Sequence, residues 1–111
     1  MATYTTKQLT AVTTLTTSVA SLYTAPASTT TTVKTILLAN YSAVDARAVV
    51  HIVPSGGSAS AANKVYGEVL VAANTTLQID TAIVIPTGAS IHGQASANSA
   101  INVHISGVEI S

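Results

Sequence analysis

The chain has 111 residues, no cysteine, and four Lys plus Arg against four Asp plus Glu, so its formal net charge is zero with neutral histidines. Only 7% of it is charged, against about 25% in ordinary globular domains, and its mean hydropathy is +0.50. This length holds one core; the missing thiols exclude disulfides and thiolate metal sites, and scattered single cations exclude a basic patch for nucleic acid.

The opening Met1-Ala2-Thr3-Tyr4 lacks the basic and apolar regions of a secretory signal. Residues 1–20 are Thr-rich and irregular, with Leu9, Val12 and Leu15 at a spacing of three. That spacing fits one amphipathic turn, but paired threonines disfavour helix. The segment is expected to be an extended N-terminal arm with room for one strand, separate from a β-sandwich domain over 21–111. From Ser21 short alternating runs are bounded by Gly, Pro and Asn, the pattern of strands. Ser21 to Thr24 is a short strand, closed by Ala25-Pro26-Ala27. Thr31 to Tyr41 follows, with Val33, Thr35, Leu37 and Ala39 on one face and Lys34, Ile36, Leu38 and Asn40 on the other.

After the turn Ser42 to Asp45, Ala46 to Val53 forms a strand that Pro54-Ser55-Gly56-Gly57-Ser58 ends. The Ser/Ala/Asn-rich stretch to Asn63 is the longest loop, a natural place for contact or disorder. Val65 to Ala72, Thr76 to Ile85, Ala89 to Ser96 and Ala100 to Ile110 complete the strands. Seven or eight strands at roughly ten-residue spacing predict an all-β antiparallel sandwich or jelly roll. No apolar run approaches the ~20 residues of a membrane helix, which argues against a membrane partner.

The three histidines are the candidate reactive groups. If Ala97-Asn98-Ser99 is a hairpin loop, His92 and His104 stand opposite one another, with Cβ atoms about 4.5–5.5 Å apart. Such a pair is able to hold a metal with a third ligand; with no such ligand evident, an interface- or solvent-facing pair is the reading taken. His51, after Val49 and Val50, reads as a satisfied sheet residue. The carboxylates are isolated: Asp45 beside Arg47 reads as a turn former or local ion pair, and mid-strand Asp80 as a partner for a neighbouring lysine. No two carboxylates are marked out for glycosidase chemistry, and G-x-S-x-G, P-loop and H-E-x-x-H patterns are absent. The 54–58 loop is glycine-rich, but no helix follows it to bind phosphate. No catalytic, cofactor-binding or metal residue is assigned, and no enzyme activity is expected.

Leu22-Tyr23-Thr24-Ala25-Pro26-Ala27 with Val33-Lys34-Thr35-Ile36-Leu37-Leu38-Ala39-Asn40 resembles a class of small tailed-bacteriophage virion proteins. So do Val53-Pro54-Ser55-Gly56-Gly57, Asn74-Thr75-Thr76-Leu77, Gly88 to Ala95, and the closing Ile105-Ser106-Gly107-Val108-Glu109. The resemblance covers about 21–110 and rests on strand-and-turn patterns. It implies a β-sandwich structural protein of the virion without an active site, on the capsid surface or in tail or fibre parts.

Neutral surfaces with few charges associate, so composition and resemblance together give an expectation of a capsid cement or decoration protein. It would be made in the host cytoplasm, bind the major capsid protein, and self-associate as a homotrimer or comparable oligomer. The alternative is a tail or fibre-associated β-sandwich module that binds host-surface glycan or other tail proteins; for glycan, Tyr4, Tyr23, Tyr41 and Tyr66 are the only aromatic platforms.

Overall fold

β-Branched Thr, Val and Ile are stiff at χ1 and fit a pleated, half-buried surface. Each run predicted from residue 21 onward is a strand in the computed structural model, which describes residues 3–111. The eight strands are β1 (Tyr4–Thr14), β2 (Ala20–Thr24), β3 (Thr30–Asn40), β4 (Ala46–Val53), β5 (Lys64–Val71), β6 (Thr76–Ile85), β7 (Ser90–Ala95) and β8 (Ile101–Ile110).

They form two four-stranded antiparallel sheets, ordered β1-β8-β3-β6 and β2-β7-β4-β5. Strand 1 pairs with 8, 2 with 7, 3 with 6 and 4 with 5, as in a long hairpin rolled over on itself. That pairing is the jelly roll. The sandwich buries Ile36, Leu38, Ile85, Ile91, Ile101 and Ile105 almost completely, with small Ala48, Ala95 and Ala100 filling between them. Burying each of the large side chains contributes about 1.5–3 kcal/mol.

The first segment departs from expectation. Instead of an arm beside the domain, residues 4–14 are an edge strand of the first sheet, paired with β8 from Tyr4↔Ile110 to Thr14↔Asn102. Leu9 and Leu15 lie in the core. Two register shifts, between Gln8 and Thr10 and between Thr10 and Thr13, explain the odd spacing. Each β-bulge resets the two-residue alternation, so Leu9 points in, Val12 out and Leu15 in. Spacing three here is bulged strand, not helix.

A bulge also corrects the faces predicted for β3. Against β8, Val33 pairs with Gly107 and Thr35 with Ser106, leaving Lys34 as an extra residue. Val33 therefore joins Ile36, Leu38 and Asn40 on the core side, while Thr35, Leu37 and Ala39 face out. Asn40 closes that row without loss. It donates to the carbonyls of Val44 and Val71, each at 2.9 Å, and accepts from the Ser42 N–H and hydroxyl at 2.9 and 2.7 Å, so its full bonding capacity is met.

Tyr23 ties the two sheets together at one end. From β2 its hydroxyl bonds Thr31 of β3 at 2.8 Å and donates to the Glu109 carboxylate of β8 at 2.5 Å, while Lys7 pairs with Glu109 at 3.4 Å. Burial, followed by the bond to Glu109, pushes the Tyr23 pKa up to about 12. The folded protein holds this proton where the unfolded chain, near 10, releases it. Tyr23's contribution is therefore whole below pH 10 and lost as pH rises through about 12, a change on the order of 1–2 kcal/mol once water near the sandwich end is allowed for. Urea denaturation from about pH 8 to 12 should show a smaller alkaline loss for Tyr23→Phe than for the parent chain. Parallel curves would refute the assignment.

Candidate functional site

With the core fixed, two outer sheet faces remain, and they differ in chemistry. On the first sheet, alternation and register place Thr6 and Val12 of β1, His104 and Ser106 of β8, Thr35 and Leu37 of β3, and Gln78 and Val84 of β6 outward. The face carries few charges: Lys34 at the bulge with Lys7 beside it at the β1 edge, and Asp80 opposite Thr35. Asp80 accepts from the Gln78 amide at 3.0 Å and not from a lysine. Val12, Leu37, Ala39, Thr76, Asn102 and His104 line a depression of about 410 Å³ on this face. Val12 in its lining is 66% exposed, and Val84 and Tyr4, at 57% and 71%, carry apolar surface beyond the depression.

The other outer face carries more polar and charged side chains, with Leu70 exposed beside Arg47. A row runs across all four strands: Lys64 of β5, His51 of β4, His92 of β7 and Ser21 of β2. His92 thus stands opposite His51, not opposite His104. The expected β7–β8 hairpin does not form, because the chain crosses between sheets at 96–100 and its two flanking strands join different sheets. His104 pairs with Leu37 on the far side of the sandwich.

His51 is buried beneath the 58–63 segment, which ends in a short 3₁₀ turn at Ala61–Asn63. Its Nδ1 meets the Ser60 carbonyl at 3.0 Å and Asn63 Oδ1 at 2.9 Å. Asn63 Oδ1 already accepts the Ser60 N–H and its amide donates to Ser58, so Nδ1 carries the proton. The longest loop is thereby folded down on the sheet. His92 Nε2 bonds the Ser90 hydroxyl at 3.0 Å. Among the described residues no three of His, Asp and Glu converge as a metal site would require. Asp45 accepts from the Ala73 N–H at 2.8 Å, which fixes its turn without Arg47.

Beside the histidine row lies a cleft of about 190 Å³ over Val49, bordered by Arg47, Lys64, Glu68, Gln94 and Ser96. Sequence reading missed it, since these residues lie on three strands and share no spacing. A β5 bulge builds it: Ala48 pairs with Val69 and Val50 with Tyr66, so Gly67 and Glu68 together face Val49. Glu68 takes φ +54, a left-handed backbone costing roughly 1–2 kcal/mol for a residue with a Cβ.

No protein-family model matches the chain, and no curated protein matches it by sequence. Solved structures share its fold. A chain in the structure of infectious bursal disease virus, Gx strain, superposes with TM-score 0.54 at 12% identity over 99% of this chain. One from the Gt strain gives 0.53 at 11% over 98%. The shared feature is the jelly roll. This chain spans 31% of the length of each of those viral chains.

Proposed function

We propose that this chain is a non-enzymatic structural protein of a virus particle, a cement or decoration protein that docks on the shell built by the major capsid protein. The observation that carries the reading is the rolled strand order, the fold also found in chains of infectious bursal disease virus particles. The outer face of the first sheet supports it. With few charges on four strands and apolar side chains left open, that face suits burial against a large protein surface. Many identical weak contacts then add through multivalency.

The test is particle stoichiometry with solution mass. The protein is expected in purified particles at a copy number comparable to the major capsid protein, and the isolated chain at three times its 11.1 kDa mass. A few copies per particle would move it to the tail or fibre. A monomer that binds no particle would overturn the proposal.

A further inference from the structure

The cleft over Val49 concentrates charge in a chain that has little. Arg47, Lys64 and Glu68 are three of its eight charged residues, yet among the described residues the ion pair is Lys7 with Glu109. The three border one cleft without forming a direct ion pair. The Arg47 guanidinium makes one long bond, 3.4 Å to the Glu68 carbonyl, which leaves most of its donor fork free.

The neighbouring groups are half used in a particular way. Gln94 spends one amide N–H on the Thr17 carbonyl at 2.8 Å, and its Oε1 accepts no hydrogen bond among the described residues. Ser96 Oγ accepts the Arg47 N–H at 2.9 Å, leaving its own O–H to donate. The cleft thus offers cationic donors from Arg47 and Lys64, one hydroxyl donor, and two acceptors in Glu68 and Gln94. A bare carboxylate or phosphate satisfies the donors and leaves both acceptors empty. A neutral sugar satisfies the acceptors and leaves the cations unpaired. A pyranose bearing a carboxylate and several hydroxyls matches both sets, and the apolar Val49 floor suits a ring face.

We propose that this cleft binds a uronic acid residue of an acidic glycan, with Arg47 and Lys64 on the carboxylate and Glu68 and Gln94 on ring hydroxyls. The bulge that holds Glu68 in its left-handed conformation is the device that brings its strand to the cleft, an instance of backbone strain retained at a binding site. The inference is independent of particle attachment, because its test uses the isolated chain.

The test is a proton–nitrogen NMR titration with methyl glucuronoside, methyl glucoside and acetate. The glucuronoside is expected to shift the Gln94 and Ser96 amides saturably, with a dissociation constant on the order of 1 mM, and the two controls at least about tenfold more weakly. Arg47→Gln, on an exposed side chain, should keep the native spectrum and lose about tenfold in affinity. Glu68→Gln separates the proposal from a simple anion site: it should weaken the glucuronoside, whereas an anion site would gain affinity for every carboxylate. Equal binding of acetate, equal binding of the neutral glucoside, or undiminished binding by Arg47→Gln would each overturn the proposal. So would loss of particle attachment by Arg47→Gln with no glucuronoside binding, since the cleft would then take an acidic side chain of a shell protein.

Discussion

Deleting residues 1–17 is expected to abolish folding. The segment supplies Leu9 and Leu15, 8% and 3% exposed, to the core. Losing one buried leucine to alanine costs about 2–5 kcal/mol, and deletion removes both together with every β1–β8 bond. Against a total stability of about 5–15 kcal/mol, little remains. β8 would also change from an interior strand to an open edge. Circular dichroism with urea titration should show no cooperative transition for the truncated chain, and Leu15→Ala alone should lose about 2–4 kcal/mol. A truncated chain with native amide dispersion would show that β1 is dispensable.

The second large effect is at Gly107. It lies mid-strand in β8, between Lys7 of β1 and Val33 of β3, where the bulge turns the backbone toward it. A Cβ there would collide with the Thr32 carbonyl oxygen and press Leu9 Cδ1 at 3.0 Å. Backbone in a central pair of strands has nowhere to go, so Gly107→Ala is expected to cost about 2–4 kcal/mol. Gly93 provides the comparison. A Cβ at that position meets Leu22 Cδ1 at 2.7 Å and Leu15 Cδ2 at 3.2 Å, both ends of side chains, which yield by a few tenths of an ångström more readily than backbone does. Gly93→Ala should cost roughly 1 kcal/mol. Chemical denaturation of the two variants checks the ranking, and a reversed order would refute this account of the bulge.

The fold was legible where alternation runs unbroken. β4 and β6 were read to the residue, because Ala46 to Val53 and Thr76 to Ile85 end in turn formers at both sides. β1 was not, because two bulges in eleven residues erase the period that marks a strand. The same limit moved Val33 to the other face of β3. Pairing was less legible than strands. Adjacent runs joined by a short loop read as a hairpin, yet β7 and β8 part company, and nothing local to Ala97-Asn98-Ser99 records that the sheet changes there. His92 thus acquired the wrong partner. The cleft was invisible for a related reason: Arg47, Glu68 and Gln94 meet only through strand order, and the bulge at Gly67 and Glu68 has no fixed sequence signature.

The nested pairing also dictates an order of events in time. β4 and β5 are separated by one loop and are able to close first, whereas β1 must wait for β8, nearly the whole chain later. The β1 and β8 flanks finally bond to each other, Thr3 N–H to the Ser111 carbonyl at 2.6 Å and Ser111 N–H to the Thr3 carbonyl at 2.9 Å. Pairings this distant fold slowly, on a scale of about milliseconds to seconds, and during synthesis β1 has no β8 to join. Until β8 leaves the ribosome, β3 keeps an open edge on the side that β8 will fill. A chain with so few like charges to hold copies apart is therefore most prone to pair with the wrong neighbour before it is finished, while it is still being made.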